Sequence, residues 1–197
     1  MLFRSGGNGA VGVIFADSTT FSLAANGRMV LDEMVYDPGA QAGSFKASVV
    51  QGVFSFVSGQ VAKTAPEGMT VATPVATIGI RGTTVAGTAA AEGEANQITL
   101  LPNADGSVGE ISVTNGAGTQ TLSVAGASTT VTSFNVAPTN VVVLSPQQIT
   151  QAYGQAINSL PAPPAEQGQQ SGDQQGQQQQ GAADQATQTL DQLTKEI

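Results

Sequence analysis

Short β-type runs separated by turn residues extend from Gly9 to about Val143, and this alternation constrains the fold more than any other feature. The runs recur about every 8–12 residues, with turn dipeptides such as Asn26-Gly27 between them. This spacing favours an all-β sandwich, barrel or solenoid and argues against a doubly wound nucleotide-binding fold. Residues 44–62 are interpreted as two strands with a kink or bulge at Gly52. We predict a short-stranded, solenoid-like or sandwich-like β domain over residues 1–144.

A capped amphipathic helix is predicted for residues 145–160. Ser145 is a suitable N-cap, Pro146 occupies the first helical position, and Gln148 completes a capping box. One helical face collects the apolar residues Ile149, Ala152, Tyr153, Ala156, Ile157 and Leu160. We expect this face to pack on the β domain, with docking to another chain or domain as the alternative.

Residues 161–197 are predicted to be a disordered linker and tail. They are rich in Gln, Gly and Pro and contain few large apolar residues. Such a segment cannot bury enough surface to offset the entropy that it would lose on ordering. Residues 183–197 have helical propensity and are compatible with the start of a helix that continues in a longer parent chain.

The composition argues against several classes of function. The formal net charge is −8, and the six Lys and Arg residues form no cluster, so neither nucleic acid nor an anionic membrane surface is an expected partner. Cys and His are absent. This excludes a disulfide framework, a thiolate nucleophile, a Cys/His zinc site and a serine hydrolase with a histidine base. We predict no metal and no cofactor.

The sequence begins MLFRSGGNGAVG, which lacks the basic segment and apolar run of a secretory signal. It also has no run of about 18 apolar residues, so this segment is not expected to insert into a membrane. Because a strand is predicted almost at once, at Val11, we interpret the chain as a fragment whose true start, with any export signal, lies upstream. The alternative is a cytosolic protein that is complete as written.

The carboxylates form no convincing catalytic or metal-binding set. Asp32 and Glu33 are adjacent in a predicted strand, so they are expected to point to opposite faces. Asn103–Gly106 resembles the opening of a Ca²⁺ loop but lacks the later ligands, and we interpret it as a turn. The spacing supports no glycosidase pair among Asp17, Asp32 and Glu110. We therefore predict that the chain is not an enzyme.

Arg81 is unusual because it lies in VATPVATIGIRGTTVAG, the most apolar β-type segment of the chain. Strand alternation places it on the face of Val75, Thr77 and Gly79, with Ile78 and Ile80 on the other face, and glycines at 79 and 82 flank it. Our leading interpretation is a largely buried clamp whose guanidinium binds backbone carbonyls or an acid such as Asp32. The alternative is a recognition arginine at an exposed edge.

The same stretch closely resembles the signature of the FecR domain, a T-P-x-A-x-x-G-x-R-G-T core followed by an apolar strand. The matching positions are Thr73, Pro74, Ala76, Gly79, Arg81, Gly82 and Thr83. Upstream, VIFADSTTFSL is similar to the family's strand–Asp-Gly–strand hairpin, with Ser18 where Gly is usual. Downstream, EISVTNGAGTQTLSVAGAS resembles its closing hairpin, so the resemblance covers about Val11 to Ala127.

The resemblance implies an all-β, solenoid-like domain that is periplasmic, at the cell surface or secreted. The family's namesakes pass a signal from an outer-membrane transporter to a cytoplasmic sigma factor. The printed sequence contains neither a cytoplasmic helical segment nor a transmembrane helix, so we do not carry anti-sigma activity over to it. We predict a non-catalytic interaction or structural module of a bacterial envelope or secreted protein, whose partner is a protein or another domain of a larger parent chain. The alternatives are a periplasmic sensor that regulates a sigma factor and a carbohydrate- or wall-binding module.

Overall fold

The computed structural model describes residues 1–40, 42–65 and 67–162. The predicted all-β fold is confirmed, because these residues form thirteen strands and two helices. The strands are β1 (Leu2–Arg4), β2 (Val11–Ile14), β3 (Thr20–Leu23), β4 (Arg28–Asp37), β5 (Ala42–Val57), β6 (Met69–Ala72), β7 (Thr77–Arg81), β8 (Thr84–Ala89), β9 (Asn96–Leu101), β10 (Glu110–Asn115), β11 (Gly118–Leu122), β12 (Ala127–Val131) and β13 (Val142–Val143), and the helices are α1 (Gln60–Thr64) and α2 (Pro146–Asn158). The predicted tail, with its helix start at 183–197, lies outside the described residues from 163 onward.

The strands form one sheet that curls into two facing layers joined by β5. The first half of β5 pairs with β4 and β6, and its second half pairs with β3 and β8. Sheet A has the order β1-β4-β5-β6-β7-β10-β11, and sheet B has the order β2-β3-β5-β8-β9-β12-β13. Gly52, with φ +101°, lies where β5 passes between the sheets, as the predicted kink requires. The two strands predicted around it are one continuous strand of 16 residues.

The hydrophobic core lies between the two sheets. Alternate residues of β6 and β7 in sheet A are buried, which is the pattern of a sheet with one buried face, whereas β3 and β8 in sheet B are buried on both faces. Phe21, Phe54 and Phe56 stack at its centre, with ring centroids 5.5–6.3 Å apart. All three rings are almost fully buried, and Met29, Phe45, Val71, Ile78 and Ile80 of sheet A pack into the same cluster. Between the two alternatives of the sequence analysis, the architecture is therefore sandwich-like.

Helix α2 covers the outer face of sheet B. Its N-terminus has the predicted capping box, in which Gln148 N–H donates to Ser145 Oγ and Gln148 Oε1 accepts from Ser145 N–H. Tyr153 and Ala156 of the predicted apolar face are buried, whereas Ala152 is exposed. The helix lies on a row of small residues that are in register across the strands, namely Gly12, Ser22, Ser55, Ala86, Thr99 and Ser128. A helix backbone can approach this closely only where the side chains beneath it are small.

Two local features depart from the sequence pattern. The end of the predicted second strand is helix α1, because Asp17 accepts hydrogen bonds at its first turn from the Gln60 N–H, through its carbonyl (2.8 Å), and the Val61 N–H, through its carboxylate (3.4 Å). Ser18 adopts the left-handed conformation (φ 67°) at the position where the family usually has glycine.

Among the described residues, no helix has the length and hydrophobicity needed to cross a membrane.

Candidate functional site

The first half of the Thr73–Thr83 motif is a tight turn between β6 and β7. Thr73 N–H donates to the Ala76 carbonyl (2.8 Å), and Thr73 Oγ1 accepts from the N–H groups of Ala76 (3.2 Å) and Val75 (3.4 Å). Pro74 occupies the second turn position, where its restricted φ is favourable. The turn sets the register in which Thr70 faces Gly79 across the hairpin.

The second half of the motif is the corner at which the chain leaves sheet A for sheet B. Gly82 has φ +56°, which favours glycine. The next residue, Thr83, is fully buried. Its N–H donates to Ser58 Oγ (2.8 Å), its carbonyl accepts from Ser58 N–H (3.1 Å), and its Oγ1 donates to the Leu101 carbonyl (3.2 Å). Thr83 is thus the residue of this motif that ties neighbouring segments together.

Arg81 is exposed, so the prediction of a buried clamp is wrong. Its side chain is 60% accessible, and Nη1 lies 3.3 Å from Oε1 of Glu110, its partner in the β7–β10 register. The suggested partner Asp32 instead accepts a hydrogen bond from Ser48 Oγ (2.6 Å). The predicted alternation holds within β7, where Ile78 and Ile80 take the buried side and Arg81 faces outward. Val75, which was predicted on the face of Arg81, precedes this strand and is buried. Arg81 lies at the end of a central strand, not at a sheet edge.

A shallow polar cavity, which we call the Arg81 pocket, lies beside this ion pair. Its volume is about 270 Å³, and its lining consists of Glu67, Thr70, Gly79, Arg81, Glu110, Ser112 and Thr121. Gly79 forms the floor, since a Cβ there would lie 2.7 Å from Ser112 Oγ. The motif glycine thus keeps the cavity open, and the motif arginine supplies its single positive charge.

The pocket belongs to the outer face of sheet A, which we call the open face. Asp32 and Glu33 both lie on this face, contrary to the prediction of opposite faces, because a register shift at 31–33 inserts one extra residue into β4. Glu33 Oε2 accepts from Lys46 Nζ (2.7 Å), and this hydrogen bond lowers the pKa of Glu33 below its usual value. The open face therefore carries charges of both signs at both ends of the sheet.

A protein-family model described as FecR protein matches residues 2–117, more than half of the chain, including the whole Thr73–Thr83 motif. The chain belongs to the FecR family. The resemblance inferred from the motif is therefore confirmed. The remaining β-strands and α2 of the FecR chain lie beyond the matched residues. A comparison with curated proteins finds no match.

Two solved structures share the fold of this FecR chain. Both are crystal structures of a candidate anti-sigma factor from Parabacteroides distasonis ATCC 8503, at 1.65 Å and 2.50 Å resolution. Each has a TM-score of 0.56 at 15% sequence identity, and the similarity covers 76% of the FecR chain. It covers 63% and 62% of those solved chains, so the FecR chain spans less than two thirds of their length.

Other carboxylates of the FecR chain accept hydrogen bonds from nearby residues of the fold. Asp17 is fully buried, and its oxygens accept from the N–H (3.0 Å) and the hydroxyl (2.8 Å) of Thr19. Asp105 accepts from the hydroxyl and N–H of Ser107 in a turn, and these bonds lower its pKa. Asp17, Asp32 and Glu110 thus bind different partners. Within the described ranges, no group of three or more Asp, Glu, His or Cys side chains could hold a metal ion.

Sequence reasoning missed the structural roles of Ser58, Asp17 and Gly109. A Cβ on Gly109 would overlap the Arg81 and Gly82 carbonyls, so the loop before β10 can pass the corner only with glycine there. The sequence signal for Asp17 was the family hairpin, in which the Asp position precedes the tight turn. Ser58 had no signal, because its partner Thr83 lies 25 residues away in the chain.

Proposed function

We propose that this FecR-family chain is a non-catalytic protein-interaction module of a bacterial envelope or secreted protein, and that its partner binds the open face. The observation that carries this proposal is the asymmetry of the two layers. Helix α2 covers the outer face of sheet B, whereas the outer face of sheet A presents hydroxyl groups, paired charges and the Arg81 pocket. The family motif supplies both the pocket floor and its arginine, so the most characteristic sequence of the domain opens onto this face.

The charges of the Arg81 pocket suit a polypeptide partner. One guanidinium lies beside Glu110 and Glu67, and Thr and Ser hydroxyls surround them. A purely anionic ligand would meet two carboxylates, whereas a peptide segment with both charge types and backbone hydrogen-bonding groups can satisfy the lining. An exposed ion pair stabilises a fold by only about 0–1 kcal/mol. Arg81 can therefore exchange Glu110 for a partner carboxylate at little cost to the domain, and interface arginines frequently dominate binding energy.

Site-specific photo-cross-linking in the native bacterium tests this surface. A photoreactive residue at Thr121, in the pocket, should cross-link this protein to a specific partner protein, and the same residue at Gln151, exposed on α2, should not. Arg81→Ala should reduce the Thr121 product at least about tenfold, as expected for loss of an interface hot spot. Equal cross-linking from both positions, or a Thr121 product indifferent to Arg81→Ala, would contradict the proposal.

A sigma-factor regulatory role is the second candidate. It is supported by family membership and by the fold shared with candidate anti-sigma factors. In that case the partner of the open face is a component of a signalling system, and the module acts as its sensor part. Deletion of the gene should then change transcripts from promoters that share one recognition sequence, and an Arg81→Ala allele should reproduce that pattern. If the transcripts that change on deletion share no promoter class, the interaction module does not have this signalling role.

We further propose that the module works outside the cytoplasmic membrane, as expected for its family. Because these 197 residues contain no cysteine, a Thr119→Cys variant adds a thiol to this segment, and the unsubstituted protein serves as the matched control. A membrane-impermeant maleimide should modify this cysteine in intact cells or in cells with a permeabilised outer membrane. Labelling that requires lysis of the inner membrane would contradict this location.

A further inference from the structure

The second half of the domain is built from a long uncharged stretch. No Asp, Glu, Lys, Arg or His occurs between Glu110 and Glu166, so every charge behind the net −8 lies elsewhere. This stretch forms most of β10, all of β11–β13 and α2. It also holds half of the exposed large hydrophobic residues of the described chain, namely Val124, Phe134, Val136, Val141, Val142 and Val143. Exposed apolar patches commonly mark interaction sites.

Strand β13 is a two-residue edge strand that carries no charge and no proline. Among the described strands it pairs with β12 alone. Val142 and Val143 are 54% and 65% exposed. Exposed strand edges in natural proteins are commonly blunted by lysine, proline or bulges. The edge strand β1 of sheet A, by contrast, carries Arg4.

The backbone groups of β13 are available for a further strand. Leu144 N–H donates to the Gly126 carbonyl (2.9 Å), and Thr139 N–H donates to the Thr130 carbonyl (3.0 Å), so residues 126 and 130 direct their carbonyls toward the segment that contains β13. Hydrogen-bonded and non-hydrogen-bonded pairs alternate along an antiparallel ladder. Val142 therefore bonds to Ser128, while the N–H and carbonyl groups of Val141 and Val143 point away from β12.

We propose that β13 is a self-association edge, through which two copies of this chain pair antiparallel about a twofold axis. Two chains of charge −8 repel one another, and the uncharged stretch is where their surfaces can meet without opposing like charges. An apolar edge is also complementary to itself, as a twofold contact requires. The open groups of Val141 pair with those of Val143 in the other copy. Val142 then faces Val142 of the second copy, and the two B sheets become one.

The oligomeric state of the 197-residue chain tests this inference. The paired surface is small, so dimers should be detected by analytical ultracentrifugation at roughly 100 µM protein and above. Added salt should strengthen the association, since it screens the repulsion between the acidic copies. Val142→Lys should give a monomer with an unchanged melting temperature. The matched control Val35→Lys, at a similarly exposed valine on β4, should still dimerise.

A cysteine scan tests the register. Facing residues of a non-hydrogen-bonded pair have Cα atoms about 4.5 Å apart, within the range of about 4.4–6.8 Å that a disulfide spans. Val142→Cys should therefore form a disulfide-linked dimer under mild oxidation, whereas Val143→Cys and Val35→Cys should not. A monomer at all concentrations, a dimer that survives Val142→Lys, or a Val142→Cys protein that is captured by a different protein in cells would each overturn the proposal. None of these results bears on the open face, which lies on sheet A.

Discussion

Arg81 and Thr83 lie two positions apart in one motif but have opposite environments. Arg81 is exposed and pairs with a single exposed carboxylate, whereas Thr83 is buried within hydrogen bonds to Ser58 and Leu101. The conspicuous charge of this motif is therefore available for binding, and its inconspicuous hydroxyl holds the corner together. A buried hydrogen-bonding group that loses its partner costs more than an exposed ion pair does.

Thr83→Val should consequently destabilise the domain more than Arg81→Ala does. Valine keeps the shape of threonine but leaves the Leu101 carbonyl without its donor, so the free energy of unfolding should fall by about 1–3 kcal/mol. Loss of the exposed ion pair in Arg81→Ala should cost about 0–1 kcal/mol. Urea denaturation of the two variants measures both values. A larger loss for Arg81→Ala would restore the clamp interpretation.

Tyr153 should make the packing of α2 on sheet B dependent on pH. Its hydroxyl donates to Gln97 Oε1 (2.8 Å) and lies 3.0 Å from Thr99 Oγ1. Burial raises the pKa of Tyr153 above its usual 10.0, although the Thr99 hydrogen bond acts in the opposite direction. The folded state therefore holds this proton more tightly than the unfolded state does. The resulting stability is complete below pH 10.0 and is lost as the pH rises toward the folded-state pKa.

Tyr153→Phe should remove this pH dependence. Between about pH 9 and about pH 11, the urea midpoint should fall more for the unsubstituted protein than for the variant. Only the unsubstituted protein has a phenol at this position that ionises on unfolding. At the lower pH the variant should be less stable by about 1–3 kcal/mol, since Gln97 and Thr99 lose a partner. Equal alkaline losses in the two proteins would show that Tyr153 does not govern this transition.

At the scale of elements, the packing of α2 on sheet B depends on small side chains in the strands beneath the helix. Ala86 is fully buried on this face, and Ser22 Oγ donates to the Ala156 carbonyl (2.7 Å) in the same row. The helix therefore approaches the strands through backbone contacts as well as side chains.

Ala86→Leu should lift α2 from the sheet. The larger side chain overpacks the contact between α2 and sheet B, and overpacking typically costs about 1–3 kcal/mol. Hydrogen exchange at the amides of α2 should accelerate, with little change in the strands of sheet A. The matched control is Ala72→Leu on the open face, where no described element lies above the strand and stability should change little. Unaltered exchange in α2 would mean that this contact can absorb a larger residue.

At the scale of the whole molecule, β5 makes the two layers one cooperative unit. The same strand supplies Phe45 to the part of the core under sheet A and Phe54 to the part under sheet B. The two halves of β5 are continuous through Gly52, and both layers pack on one hydrophobic cluster, so opening either layer exposes the core face of the other. The sandwich should therefore unfold in a single transition.

Native-state hydrogen exchange in increasing denaturant can measure this coupling. The most protected amides of β6 and β7 in sheet A should report the same opening free energy as those of β8 and β9 in sheet B. Phe56→Ala should lower both values together, by about 3–5 kcal/mol. Two separate plateaus, with only one sensitive to the Phe56 change, would show that the layers are independent.

Local patterns in the sequence determined the secondary structure and the motif turns. Strand runs, the Asn26-Gly27 turn, the kink at Gly52 and the capping box at Ser145 depend on residues near one another in the chain. Their conformations follow from side-chain alternation and turn chemistry, which a sequence displays directly. The family membership was likewise contained in a short contiguous motif.

Tertiary structure alone decided which face of each strand is buried and what each polar residue contacts. Strand alternation placed Arg81 on one face of the strand and Ile78 and Ile80 on the other. Only the packing of sheet B against sheet A decided that the isoleucines are buried. The register shift in β4 that puts Asp32 and Glu33 on the same face requires the partner strand β5. The first turn of α1 requires the distant Asp17. These outcomes depend on pairings between residues far apart in the chain, and a one-residue change of register reverses every side chain of a strand.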